Sequence, residues 1–252
     1  MKISIITICK NSASTIESTI KSVINQSDQS FEYIIVDGCS NDSTLEIIEQ
    51  YKSKVDKFVS EPDSGLYDAM NKGIELAEGE IIGFINSDDY YVNEKVIENI
   101  RHSFIDSGAD SVYGDIQYVD KDNPDKVIRN WVAGKYNIKK FFFGWMPPHP
   151  SFFVKSQIYK KFGKFNLRLR FSADYELMLR FLLKHRISAY YFPQCVIKMR
   201  IGGQNNKSLK NRLKANYEDR LAWKINKLKG GFLASAMKPV SKIHQYFFKD
   251  LD

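Results

Sequence analysis

Apolar runs of strand length alternate with stretches of helical periodicity through the first third of the chain. Residues 3 to 9 read as a buried strand, and Ile16, Ile20, Val23 and Ile24 then recur at helical spacing behind a Ser14/Glu17 capping box. Tyr33 to Val36 predicts a second strand that stops at Asp37-Gly38, with Leu45, Ile47 and Ile48 marking the next helix. Phe58 to Ser60 is a short third strand. Pro62 and Gly65 punctuate the loop after it, and Leu66, Met70, Ile74 and Ala77 form a helical stripe that ends at Gly79. Glu80 to Asn86 carries paired isoleucines at 81 and 82, the composition of a strand buried on both faces. Strand then helix, repeated, is the rhythm of a parallel sheet with crossover helices.

The second half is less regular. Glu94 to Ser103 predicts a helix, and Ser111 to Val119 an alternating strand followed by a turn at Asp122-Asn123-Pro124, an antiparallel addition to the sheet. A loop with His149 between two prolines leads to a strand at Phe152-Phe153. Residues 171 to 183 predict a helix with Leu177 and Phe181 inward, and Tyr190 to Met199 a last strand. Arg200 to Gln204 reads as a glycine-rich loop, suited to a mobile lid over a diphosphate or to a plain turn. Leu209, Leu213, Tyr217, Leu221, Ile225 and Leu228 then form a helical stripe opposite lysines and arginines. Gly230-Gly231 breaks it, before a second amphipathic piece that runs from Phe232 to Phe248 and is interrupted by Pro239. The expected fold class is α/β: a Rossmann-like, mixed and mainly parallel sheet flanked by helices over residues 1–205, with a basic amphipathic helical tail over 206–252. Within the domain, 1–91 is the regular strand–helix half and 92–205 the less regular one.

Charge sharpens this division. The net charge of +7 equals the excess of eleven Lys and Arg over four Asp and Glu in residues 206 to 252, so the rest of the chain is neutral overall. Within it, Lys135 to Arg170 holds nine basic residues and no acid, interleaved with aromatics. Basic plus aromatic points to an anionic membrane surface or to nucleic acid, and the membrane is the expectation here. Three cysteines, few and without metal-ligand spacing, fit reduced thiols in the cytoplasm. The opening MKISIITICK turns polar too soon for a signal peptide, and no run of apolar residues is long enough to span a bilayer.

Candidate chemistry lies in the acids. Asp37, Asp63 and the pair Asp88-Asp89 fall after successive predicted strands, at the end of a parallel sheet where open α/β folds bind ligands. Each has a plainer reading, as a turn residue or a helix cap. Convergence of all three segments favours a cation shared with substrate phosphates, which needs only one or two protein carboxylates.

Three segments, IITICKNSASTIESTIKSVINQ, FEYIIVDGCSNDST and GLYDAMNKGIELAEGEIIGFINSDDYY, together resemble the nucleotide-sugar-binding half of family 2 glycosyltransferases, inverting enzymes of GT-A fold. The resemblance implies a UDP-sugar donor, with 1–91 as the nucleotide-sugar-binding half and 92–205 as the acceptor half. It places Asp37 on the nucleoside, Asp63 beside it, and Thr7, Lys10, Asn71, Lys72, Ser87 and Asp88 around the nucleotide sugar. Asp89, with Asp88, would hold Mn²⁺ or Mg²⁺. Met70 departs from the pattern, since many relatives carry arginine there. FSADYELMLRFLL resembles the acidic helix start that supplies the catalytic base, which implies Asp174 for that role; Glu176 and His149 are assigned to the acceptor, and Arg200 to the diphosphate. The implied function is transfer of a sugar to a saccharide hydroxyl, on a polyprenyl-diphosphate-linked acceptor, in surface polysaccharide synthesis of the O-antigen, capsule or colanic-acid type. The tail would bring the enzyme to the inner face of the plasma membrane, or else pack on the domain or form a homodimer contact. Two other readings are weaker. A sugar-phosphate nucleotidyltransferase would need a glycine-rich, arginine-containing loop where this chain has Cys9-Lys10-Asn11-Ser12. A nucleic-acid-binding module leaves the five acids unexplained, so no nucleic-acid partner is expected.

Overall fold

Ile6 and Ile8 pack on one side of a central sheet and Ile3 and Ile5 on the other, because β1 (Ile3–Cys9) is covered by helices on both faces. The computed structural model describes residues 1–201 and 209–238. α1 (Ile16–Ile24), β2 (Phe31–Asp37), α2 (Thr44–Gln50), β3 (Lys57–Ser60), α3 (Leu66–Leu76) and β4 (Ile81–Asn86) follow in alternation, and strands β3-β2-β1-β4 are parallel neighbours. β5 (Asp89–Tyr91), α4 (Val96–Ser107), β6 (Ser111–Val119), β7 (Val127–Trp131), β8 (Phe152–Lys155), α5 (Ser156–Phe162), α6 (Ala173–Met178) and β9 (Ala189–Arg200) complete the domain. β6 runs antiparallel to β7 and β8 and parallel to β9, so the predicted antiparallel addition is in fact mixed.

Two hydrophobic layers sandwich the sheet. α1, α2 and α4 bury Ile16, Ile20, Ile48, Ile97, Ile100 and Phe104 on one face. The other face buries Met70, Ile74, Phe84, Tyr159, Leu177 and Phe181 from α3, β4, α5, α6 and the π-helical turn Leu179–Lys184. α3 lies so close that a Cβ on Gly73 would come within 2.4 Å of the Ile6 side chain, and glycine is what permits that approach.

Some local expectations fail for identifiable reasons. The Ser14/Glu17 capping box does not form. Thr15 precedes α1, the Ser12 carbonyl accepts from the Thr15 and Ile16 N–H groups, and Glu17 turns sideways to Lys21 and the Tyr51 hydroxyl, each at 2.8 Å. Leu66 is exposed, and Tyr67 takes the buried place at the start of α3. The sequence reading missed β7 and α5.

After the undescribed residues, α7 (Leu209–Ile225) and α8 (Gly231–Met237) dock on α6 and on the short 3-10 segment Ile138–Phe143. The predicted stripe faces inward only in part: Leu221, Ile225 and Leu228 pack on the core. Leu213 and Tyr217 are 70% and 68% exposed, whereas Asp219, Ala222, Trp223 and Asn226 face inward. Polar partners on α6 hold the inward face: the Trp223 indole donates to the Tyr175 hydroxyl at 2.9 Å, and the Asn226 amide to Glu176 at 2.9 Å. Gly202 to Gln204 of the supposed lid, and the tail residues from Pro239 on, lie outside the described residues. Among the described residues, no helix is long and apolar enough to cross a membrane.

Candidate active site

Parallel register brings the strand tips level. Cys9 pairs with Asp37, Asp37 with Ser60, and Ile8 with Asn86, so the loops bearing Lys10, Asp37, Asp63 and Ser87 leave the same edge of the sheet. Loop-to-loop hydrogen bonds fix them there. The Asn11 amide N–H donates to the Ser40 hydroxyl (2.8 Å), the Ser12 N–H to the Thr44 hydroxyl (2.7 Å), and the Ser12 and Ser87 hydroxyls lie 2.8 Å apart. Asn11 and Cys39 adopt positive φ at the two bends. Asp37 is fully buried, and its carboxylate accepts from the Ser40 N–H (3.0 Å), the Ser40 hydroxyl (2.5 Å) and the Ser60 hydroxyl (2.7 Å). A Cβ on Gly38 would fall 2.1 Å from the Asp63 carboxylate and 3.3 Å from the Lys10 side chain. Asp63 and Lys10 therefore close over Gly38, beside Asp37.

The end of β4 carries the second acid group. Asp89, 1% exposed, opens β5, accepts from the Asn86 amide at 3.0 Å, and has one carboxylate oxygen, Oδ1, without a donor. Burial, and then the charge of Asp88, push its carboxyl well above the ordinary range; burial also raises Asp88, against the pull of Arg200. Arg200 ends β9 rather than standing in a loop. It donates to the Asp88 carbonyl (2.7 Å) and the Ser18 hydroxyl (3.0 Å), with its guanidinium 4.7 Å from the Tyr90 ring centroid. Two carboxylates disfavoured as anions, with orphaned oxygens on Asp89 and Asn86, are the hard donors a Mn²⁺ or Mg²⁺ ion satisfies, so these residues fit such an ion. Asp88 is the more open of the pair. Among the described residues no three His, Cys, Asp or Glu cluster to hold a metal unaided, and phosphate or water oxygens would complete its shell.

The third acid stands on the first turn of α6. The Tyr67 phenol donates to Asp174 at 3.0 Å, and burial followed by the Asp174 charge raises the Tyr67 pKa well above normal, so it remains a donor. Tyr67 stacks on Phe165 with centroids 5.5 Å apart, Phe165 meets Phe84 edge-on at 5.7 Å, and His149 stacks on Phe84 at 6.0 Å. Burial lowers the His149 pKa, partly opposed by Asp174. Tyr67 lies four positions after Asp63, and Phe84 two before Asn86. The aromatic cluster thus ties Asp174 and His149 to the sheet edge that bears Asp37 and Asp88.

Four expected residues sit elsewhere. Thr7 is fully buried inside β1 with its hydroxyl 3.1 Å from that of Tyr33. Asn71 clamps the Phe165 backbone through both its N–H and its carbonyl, each at 2.9 Å, and so supports the aromatic cluster from behind. Lys72 holds Glu61 and the Pro62 carbonyl, shaping the Asp63 loop from outside. Glu176 is buried, bound by both Nε and Nη2 of Arg180 (3.1 and 3.0 Å) and by Asn226; Arg180 in turn caps the carbonyls of Phe162, Gly163 and Lys164. Sequence reading also missed two supports. Tyr67 was hidden because the apolar stripe of α3 seemed complete without it. Glu218 of α7 accepts the backbone N–H groups of Arg170, Phe171 and Ser172 at 3.1, 2.7 and 3.0 Å, an arrangement no short-range pattern could signal.

A parallel half-sheet with acids at its tips, joined to a mixed half whose helix α6 supplies a further acid, is the GT-A architecture. S. aureus TarS in complex with UDP-GlcNAc shares it, with a TM-score of 0.72 at 17% identity over 97% of this chain and 73% of that one. So does the mannosyltransferase PcManGT from Pyrobaculum calidifontis in complex with GDP-Man and Mn²⁺, at 0.66 and 15%, over 96% and 70%. A sequence profile of glycosyl transferase family 2 matches residues 4–183, and the chain belongs to that family. An uncharacterised glycosyltransferase of Methanocaldococcus jannaschii is 26% identical over 84% of this chain and 76% of its own length. The PGL/p-HBAD biosynthesis glycosyltransferase of Mycobacterium bovis is 28% identical over 68% of this chain, which spans 65% of that relative. Sugar transfer is the chemistry that membership carries.

Proposed function

We propose that this protein transfers a sugar, with inversion, from a UDP-sugar to a hydroxyl of a saccharide acceptor. The observation that carries the reading is the Tyr67–Asp174 hydrogen bond, which fastens a carboxylate to the same sheet edge as Asp37, Asp63 and Asp88. Asp37 and Asp63 bind the nucleoside side, with Lys10 and Arg200 toward the diphosphate. Asp88 and Asp89 are the residues to hold Mn²⁺ or Mg²⁺, which when bound neutralises charge on the departing diphosphate. Asp174 accepts the proton of the acceptor hydroxyl as it attacks, oriented by the Tyr67 phenol, and His149 lines the acceptor side. The acceptor is read as polyprenyl-diphosphate-linked and the product as a surface polysaccharide precursor, in keeping with the exposed basic and apolar face of α7 and α8.

The test is a panel of UDP- and GDP-sugars with Mn²⁺ or Mg²⁺, read by thermal stabilisation and donor hydrolysis, followed by Asp174→Asn. Loss of turnover by ~10²–10⁴-fold with UDP binding retained is expected. Full activity in Asp174→Asn, or no response to any nucleotide sugar, overturns the reading.

A further inference from the structure

The helical appendage α7–α8 buries one side against the domain and leaves a mixed apolar and basic face outward. Its two described acids face the domain: Glu218 accepts three backbone N–H groups of the segment leading into α6, and Asp219, 2% exposed, pairs with Lys238 at 2.8 Å. Part of its apolar surface points out, although Ala222, Trp223 and Ala234 are buried and Leu221, Ile225 and Leu228 pack on the core. Leu213 is 70% exposed, Tyr217 68%, Phe232 74% and Leu233 49%, and Phe143 on the adjoining 3-10 segment is 55% exposed. Around them Lys214, Arg220, Lys224, Lys227 and Lys229 are exposed, and Arg220 is anchored by the Ser235 hydroxyl (3.0 Å) with its guanidinium 5.0 Å from the Phe232 ring centroid.

We infer that this face docks on an anionic bilayer. A bilayer interface offers both things the face requires, hydrocarbon for exposed leucines and aromatics and anionic headgroups for unopposed cations. A second copy would bring cations against cations with no outward acid from the appendage to meet them. Nucleic acid would match the charge but give Leu213 and Leu233 no apolar partner. The docking is carried by α7, α8 and Phe143. Because Glu218, Trp223 and Asn226 tie the same helix to α6, the bound membrane lies against the part of the domain that positions Asp174. The inference does not depend on which sugar is transferred.

The test is co-sedimentation of the full chain with vesicles of phosphatidylglycerol or of phosphatidylcholine, with UDP binding measured in parallel as a check on the site. Binding to phosphatidylglycerol alone, weakened by salt, is expected. Phe232→Ser/Leu233→Ser and, separately, Lys224→Glu/Lys229→Glu should each weaken it about tenfold, with unchanged UDP affinity and thermal stability. No binding, equal binding to both lipids, or variants that bind like the parent would overturn the proposal. So would a dimer that the same substitutions dissociate without lipid, or retention by single-stranded RNA in place of vesicles.

Discussion

The carboxyl edge of β1, β2 and β4 and the start of α6 both present acids, yet they are built differently. At the sheet edge, parallel register and short loops do the placing: Asp37, Ser60 and Asn86 are level because their strands are paired, and Ser40 and Ser60 satisfy the Asp37 carboxylate from close by. At α6, the supports come from far along the chain. Tyr67 holds Asp174, Asn226 and Arg180 hold Glu176, and Glu218 holds the backbone of residues 170–172. Two acids two positions apart, and so on opposite sides of the helix, consequently have opposite fates, Asp174 half-buried beside an aromatic cluster and Glu176 sealed in an ion pair. Proximity in sequence therefore says little about a shared role; the partners decide.

Variants at α6 should thus change stability or turnover while leaving nucleotide binding alone. The largest effect is expected from Glu176→Ala, which strands the buried Arg180 charge and the Asn226 amide and should cost ~3–5 kcal/mol by urea denaturation. If it instead folds normally and loses only acceptor affinity, Glu176 belongs to the acceptor site. Next, Glu218→Ala removes the acceptor of three backbone N–H groups and should destabilise by ~1–3 kcal/mol. It should lower kcat with the donor KM unchanged, and Glu218→Gln, which keeps an acceptor oxygen, should restore part of the loss. Tyr67→Phe deletes one hydrogen bond to Asp174, a change of about 1 kcal/mol or at most a tenfold fall in kcat; an equal change in UDP affinity would dissolve the distinction between the two ends. The smallest effect concerns pH. Burial holds the His149 pKa below its ordinary 6.5, so the unfolded chain takes up a proton that the folded one resists. Stability is therefore complete above pH 6.5 and declines as pH falls toward the folded value, and His149→Phe should flatten that part of the stability–pH curve.

Much of the sheet edge was legible in the sequence. The first four strands and three helices announce themselves by periodicity, and the acids follow the strands directly. Errors arose where a side chain had two local uses. Glu17 had the spacing of a capping box but found Lys21 and Tyr51, and Thr7 had the position of a pocket residue but points to Tyr33 in the core. Asn71 and Lys72 lay in the right motif, yet Phe165 and Glu61 claim them.

On its own, the sequence determined the parallel half-sheet, the family, and the acids at the tips, because strand and helix periods are local and a parallel register levels the strand ends. Tertiary structure alone decided which face of α7 is buried, that Glu218 secures the approach to α6, and that Asp174 rather than Glu176 stays open. The physical reason is that an apolar stripe fixes only a preference for burial. Leu221, Ile225 and Leu228 satisfy it while Leu213 and Tyr217 do not, and the hydrogen bonds to Tyr175, Glu176 and the backbone of 170–172 that hold this face exist only once residues some fifty positions apart are brought together.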